Sequence, residues 1–188
     1  MNSSSDRPGQ IIFVTGGCRS GKSSFAERTA LQRAGTCAYI ATAEACDEEM
    51  SERIRRHRER RGERFHTIEA PLELAAALAR APEESGVVLI DCLTVWMGNL
   101  MHHCGEEFSE DNPRIGAFLD ALESPRKDVV IVSNELGMGV VPTDARVRRF
   151  RDVAGRLNQR VAARADEVYL CVSGIPLCIK GKGTKFGE

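Results

Sequence analysis

The chain has 188 residues, enough for one domain with a full core and too few for two enzymatic domains joined by a linker. Its 26 Lys plus Arg against 27 Asp plus Glu leave a net charge of -1, which excludes a globally basic nucleic-acid or membrane-surface protein. An apolar fraction of 42% with 28% charged residues excludes disorder across the whole length.

In chain order, the polar stretch 1–10 is expected to fray. Ile11 to Thr15 is the first strand candidate, followed by a Gly-rich turn and a helix carrying Phe25, Ala26, Thr29 and Ala30. Ala38 to Ala41 is the second strand. Residues 47–61 read as a helix opening on Asp47-Glu48-Glu49, where negative charge suits the positive end of the helix dipole. A helix over Leu72 to Arg80 follows Pro71, and Val87 to Ile90 is a buried strand. Met101 to Asn112 is polar and acidic and reads as a surface loop, before a helix over Ile115 to Leu122 and a strand over Val129 to Ser133. From about Asp144 to Arg164, Val147, Phe150, Ala154, Leu157 and Val161 recur at helical spacing with arginines on the other face. Val168 to Val172 is the last strand, and the Gly-rich end from Gly181 to Glu188 is expected to be a tail.

Strands alternating with helices, and strands apolar on both faces, predict an α/β fold with a mostly parallel sheet covered by helices. The expected organisation is a flexible extension over 1–10, one domain over 11–180 and a flexible tail over 181–188, with no internal repeat. No apolar run approaches the roughly 20 residues that cross a bilayer. The first residues also lack the build of a secretory signal, so a cytoplasmic protein without membrane insertion is expected. Seven cysteines, odd in number and without a C-x-x-C pair, predict neither a disulfide framework nor a zinc knuckle.

Chemistry enters with Gly16-Gly17-Cys18-Arg19-Ser20-Gly21-Lys22-Ser23, a complete G-x-x-x-x-G-K-S between a strand and a helix. In such a loop the backbone N–H groups and the helix N-terminus cradle phosphates. Lys22 reaches the β and γ phosphates, and the Ser23 hydroxyl ligates Mg²⁺. The acidic partner for the metal belongs at another strand end, and Asp91 ends its strand directly. Glu135 follows a strand too; it fits either a second-substrate role or a structural cap. A regulatory GTPase is excluded, because N-K-x-D is missing and Asp152-Val153-Ala154-Gly155 sits inside a helix.

Arg53, Arg55, Arg56, Arg58, Arg60, Arg61 and Arg64 place seven guanidinium groups within twelve residues, around His57. They fit a solvated helix face paired with Glu52, Glu59 and Glu63, or a clamp for a triphosphate. A nucleic-acid patch lacks interleaved aromatics. Inside a clamp, a neutral imidazole at His57 is a nucleophile for phosphorus; outside one, it is a surface histidine. His102-His103-Cys104 lacks a second ligand pair for a metal.

Several blocks together resemble one family. They are the P-loop from Thr15 to Ser23, Tyr39-Ile40-Ala41-Thr42, Asp47-Glu48-Glu49-Met50, Arg53-Ile54-Arg55-Arg56-His57, Ser133 to Pro142, Phe150 to Gln159, Ala165 to Val168, and Val172-Ser173-Gly174. In this order, over about residues 11 to 180, the chain resembles the bifunctional adenosylcobinamide kinase/adenosylcobinamide-phosphate guanylyltransferases of cobalamin biosynthesis. The resemblance implies a single RecA-like P-loop NTPase domain and a homotrimer.

It also implies two reactions. A γ-phosphate from ATP or GTP passes to adenosylcobinamide; GMP from GTP is then carried on a histidine to adenosylcobinamide phosphate, giving adenosylcobinamide-GDP and pyrophosphate. The family's guanylylated histidine falls on His57. Its nucleotide-binding positions fall on Gly16 to Ser23, on Thr42, Ala43 and Glu44, on Arg58, Glu59, Arg60 and Arg61, on Glu69 and on Asp91. A P-loop kinase for another small alcohol would keep Lys22, Ser23 and Asp91 without needing His57, and an Arg-rich nucleic-acid-binding ATPase would show salt-sensitive affinity for polynucleotide.

Overall fold

The computed structural model describes residues 8–44, 48, 52, 55 and 62–182. Seven strands form one sheet: β1 Ile11–Gly16, β2 Cys37–Ala41, β3 Phe65–Glu69, β4 Val87–Asp91, β5 Asp128–Val132, β6 Glu167–Val172 and β7 Ile175–Lys180. Their spatial order is β3-β2-β4-β5-β1-β6-β7. Every neighbouring pair is parallel except β6 with β7. The helices whose bounds fall within the described residues are α1 Lys22–Arg33, α2 Leu74–Ala79, α3 Leu93–Cys104, α4 Pro113–Ala121 and α5 Ala145–Arg164, with short 3-10 turns at Gly62–Arg64 and Gly105–Glu107. Glu48, Glu52 and Arg55 are helical; the rest of the predicted 47–61 helix lies outside the described residues.

All six residues of β1 are buried, because alternate side chains enter two separate cores. Ile12 and Val14 join Phe25, Ala26 and Ala30 of α1, together with Leu89, Val130 and Tyr169. Ile11 and Phe13 face the other way, with Trp96 and Met97 of α3, Phe118 of α4 and Leu157 and Val161 of α5. The sheet is therefore a middle layer, with α1 on one face and α2 to α5 on the other. Trp96 is the largest buried side chain, and its indole N–H is satisfied by the Leu72 carbonyl at 2.8 Å.

Helix ends follow local chemistry. The Asp144 carboxylate accepts from Val147 N at 2.9 Å and starts α5. Asn112 accepts from Arg114 N at 3.0 Å, with Pro113 at the first helical position of α4.

The five apolar strand predictions match β1, β2, β4, β5 and β6 within one residue at each end. Edge strands β3 and β7 were not predicted, nor was α3. Met101 to Cys104 belongs to α3 rather than to a surface loop, and the segment beyond it is anchored by Phe108, 1% exposed. Gly9 N donates to Pro125 O at 2.8 Å, and Gln10 N to Asp128 Oδ1 at 2.8 Å. Cys37, Cys92 and Cys171 are buried free thiols, whereas Cys18 and Cys178 are exposed. Among the described residues, no helix is long and apolar enough to cross a membrane.

Candidate nucleotide site

Among the described residues, the carboxyl ends of the parallel strands carry the P-loop, Thr42 to Glu44, Glu69 and Asp91 along one edge, where ligands of open α/β sheets bind. β1 delivers the P-loop there, and close backbone approach dictates its glycines. A Cβ on Gly16 would lie 2.4 Å from the Cys171 carbonyl oxygen. Gly21 has φ of 89°, and a Cβ there would lie 3.1 Å from Gly174 Cα. The turn between β6 and β7 thus forms a wall behind the loop.

α1 starts at Lys22 with no side-chain cap, which leaves its first amides available to an anion. Lys22 is only 9% exposed, and its ammonium donates to the Gly17 carbonyl at 3.0 Å. A buried cation needs such a partner, and a phosphate is a stronger one. Thr15 and Ser20 are 8% and 7% exposed, and their hydroxyls have no hydrogen-bond partner among the described residues. Unsatisfied buried polar atoms are costly, so two of them beside one loop mark a place built for a polar ligand. Gly17, Cys18 and Arg19 are exposed, and Ser23 is half-buried at the helix start.

Asp91 ends β4, with β5 between it and the P-loop strand. It is registered with Val132, which is registered with Val14. Residues level with one another on neighbouring strands share a face, and Val14 and Val132 belong to the core under α1. Asp91 therefore sits on the face from which α1 presents Ser23. The Tyr39 hydroxyl donates to Asp91 Oδ2 at 3.1 Å and orients the carboxylate. A P-loop hydroxyl, one aspartate and phosphate oxygens form an oxygen donor set suited to Mg²⁺, which keeps several waters and needs no dense protein cage.

Glu69 is level with Ala41, which is level with Asp91, so Glu69 lies in the same row two strands further out. It is exposed, as is Glu44, while Ala43 is half-buried. Thr42 is fully buried: its hydroxyl accepts from Cys92 N and donates to Cys92 O, both at 2.9 Å. Its side chain belongs to the scaffold that joins the ends of β2 and β4. Asn99 of α3 donates to Thr42 O at 2.8 Å and Pro71 O at 3.1 Å, which fixes the chain after β2 and β3. His57, Arg58, Glu59, Arg60 and Arg61 lie outside the described residues.

One group beside the P-loop was missed. Asn134 N donates to Thr94 Oγ1 at 2.8 Å, and Thr94 Oγ1 lies 3.3 Å from Ser133 Oγ. Asn158 of α5 donates to Asn134 O at 3.0 Å, and Glu135 N to Gly16 O at 3.0 Å. A polar Ser133-Asn134 at the end of an apolar strand was the available signal. A shallow groove of about 530 Å³ between the Glu106–Asp111 segment and α5 is flanked by exposed ion pairs of Arg149 with Glu106 and Arg156 with Glu110.

Burial pushes the Cys92 thiol up to about 11, with the neighbouring Asp91 carboxylate adding to the effect and Lys22 opposing it. Cys37 also rises to about 11 through burial, partly offset by Arg64. Neither thiol is a nucleophile at neutral pH.

The sequence profile of the family described as cobinamide kinase / cobinamide phosphate guanyltransferase matches residues 12–179. The chain is 43% identical over 170 residues to the bifunctional adenosylcobalamin biosynthesis protein CobP of Pseudomonas aeruginosa, covering 90% of this chain and 97% of that one. It is 39% identical over 181 residues to the bifunctional adenosylcobalamin biosynthesis protein CobU of Escherichia coli, covering 90% and 99%. Among solved structures, the RadB recombinase superimposes with a TM-score of 0.52 at 17% identity, covering 87% of this chain and 74% of that one. A type III secretion ATPase gives 0.52 at 14% identity, covering 87% and 51%. Likeness at such low identity concerns the fold, a RecA-like P-loop NTPase domain.

Proposed function

The chain belongs to the cobinamide kinase / cobinamide phosphate guanyltransferase family, and on that premise we propose that it carries out both reactions on a corrinoid substrate. It phosphorylates adenosylcobinamide with ATP or GTP, then transfers GMP from GTP to adenosylcobinamide phosphate, yielding adenosylcobinamide-GDP and pyrophosphate. The observation that carries this reading is the P-loop, with buried Lys22 and with Thr15 and Ser20 hydroxyls that have no partner among the described residues, in a chain matched to the family from residue 12 to 179.

In the kinase step, the α1 N-terminal amides and Lys22 hold the triphosphate, with the Lys22 ammonium exchanging the Gly17 carbonyl for phosphate oxygens. Ser23 and Asp91 are the proposed Mg²⁺ ligands; the ion supplies charge neutralisation at the phosphates when bound. In the second step the His57 imidazole attacks the α-phosphorus of GTP. The N–P bond forms as the bond to the pyrophosphate oxygen breaks, and the imidazolium loses its proton. Arg58, Arg60 and Arg61 neutralise the leaving pyrophosphate. A phosphate oxygen of the corrinoid then displaces the histidine, and GMP passes to it. Thr42 to Glu44 and Glu69 complete the proposed nucleotide contacts.

The proposed assembly is a homotrimer in the cytoplasm, with corrinoid and nucleotides rather than nucleic acid as partners. Val172 pairs with Ile175 and Leu170 with Leu177, so these side chains share one sheet face, and Val172, Ile175 and Leu177 are exposed there. An exposed apolar strip on an edge hairpin supports self-association. The overall activity is tested by incubating the protein with adenosylcobinamide, ATP, GTP and Mg²⁺ and analysing corrinoids by mass spectrometry. Adenosylcobinamide-GDP is the expected product; recovery of unchanged adenosylcobinamide contradicts the proposal.

A further inference from the structure

Phosphoryl transfer to an alcohol releases a proton, and neither Lys22 nor a metal-bound Asp91 is free to take it. The sheet order places β5 directly between the P-loop strand β1 and the Asp91 strand β4. Whatever follows β5 therefore emerges between the P-loop and the strand that ends on Asp91. Glu44 follows β2 and Glu69 ends β3, both on the far side of β4. Glu135 follows β5 itself, and its amide donates to the carbonyl of Gly16, the first residue of the P-loop, at 3.0 Å.

The backbone at this point is held more firmly than a connection between β5 and α5 requires. Ser133 N donates to Val14 O at 3.0 Å. Side chains from two different helices then occupy both polar backbone groups of Asn134: Thr94 of α3 accepts from its N–H, and Asn158 of α5 donates to its carbonyl. With the Glu135 amide on Gly16, four hydrogen bonds fix three consecutive residues. Such restraint is what holds a reacting group in place relative to its target.

The carboxylate is oriented as well. Glu135 Oε1 accepts from Gly137 N, and a Cβ on Gly137 would stand 2.9 Å from that oxygen, so the missing side chain makes room for the carboxylate. Among the described residues, Oε2 has no hydrogen-bond partner, and the residue is half-buried. One oxygen is anchored and the other is available. A mere turn cap would account for the first oxygen and leave the tether to the P-loop without purpose.

We infer that Glu135 is the proton acceptor for the alcohol in the kinase step, an inference that rests on the reading of the site as a kinase. As the substrate oxygen bonds to the γ-phosphorus, the bond from that phosphorus to the β-phosphate bridging oxygen breaks. The hydroxyl proton passes to Glu135 Oε2, and the nucleoside diphosphate leaves with the electron pair. Guanylylation of His57 removes no proton from an alcohol and has no need of Glu135.

Glu135→Gln keeps an oxygen for the Gly137 amide and removes the base. Three activities are measured on one preparation: phosphorylation of adenosylcobinamide, self-labelling by GTP labelled at the α-phosphate, and GMP transfer to supplied adenosylcobinamide phosphate. The expected result is a kinase kcat lowered by about 10² or more, with nucleotide KM unchanged. Self-labelling and GMP transfer persist within about threefold, which also shows that the variant is folded. A variant with kinase activity within about threefold of wild type overturns the inference, and so does parallel loss of all three activities. A wild-type protein that phosphorylates no adenosylcobinamide overturns the kinase reading itself, a result separable from both.

Discussion

Gly174 donates its amide hydrogen to the Ser20 carbonyl at 3.0 Å, so the turn joining β6 and β7 is bonded to the middle of the P-loop. The same turn has Ser173 at φ 50° and Gly174 at φ 85°. An edge hairpin far along the sequence thereby shapes the phosphate cradle.

Gly21→Ala tests this contact. The new Cβ would meet Gly174 Cα at 3.1 Å while the backbone remains at φ 89°. A non-glycine residue in that region costs about 1–3 kcal/mol. Thermal unfolding should show a lower Tm without ligand and a weaker rise on adding GTP with Mg²⁺. An unchanged Tm and an unchanged nucleotide response would show that the turn yields freely.

Lys22→Met separates stability from binding. Lys22 is 9% exposed and its ammonium donates to one carbonyl, so replacing it with an apolar chain of similar length relieves a desolvation cost. The variant should unfold at or above the wild-type Tm. Wild-type protein at ligand near 100 times Kd gains about 2.7 kcal/mol, and the variant should lose this gain. Persistence of the full GTP-induced shift would remove Lys22 from phosphate binding.

The buried thiols make a pH prediction. Cys37 and Cys92 hold their protons up to about 11, above the ordinary value of 9.0. Between these values the unfolded chain releases protons that the native state retains, so stability is full below about 9 and falls as pH rises towards about 11. Urea unfolding across that window should show the decline, and Cys37→Ala with Cys92→Ala should flatten it. Native alkylation near pH 8 should modify exposed Cys18 and Cys178 and spare Cys37, Cys92 and Cys171. Rapid modification of Cys92 would contradict its burial.

Legibility in the sequence followed burial. β1, β2, β4, β5 and β6 were readable because both faces enter a core, which makes near-continuous apolar runs. β3 carries His66 and Thr67 at a sheet edge, and β7 carries Pro176 with most of its residues exposed, so neither shows such a run. α3 buries Leu93, Trp96, Met97 and Leu100 at helical spacing, but Thr94, Val95 and Gly98 dilute its helix propensity. The P-loop and Asp91 were readable because strand, turn and helix are contiguous or end on a carboxylate. The hold of Thr94 and Asn158 on Asn134 spans 40 and 24 residues, a separation that local pattern does not encode. Thr42 illustrates the reverse case: its place among the nucleotide positions came from resemblance, while its hydroxyl is spent on Cys92.

The covalent histidine is the central claim, and one measurement addresses it directly. Protein incubated with Mg²⁺ and GTP labelled at the α-phosphate is denatured, separated from free nucleotide and counted. The account predicts protein-bound label that is labile to acid, stable to alkali and absent from His57→Ala, with the variant still phosphorylating adenosylcobinamide. Folded wild-type protein that is active as a kinase yet carries no label, or a His57→Ala variant labelled as fully as wild type, would contradict it.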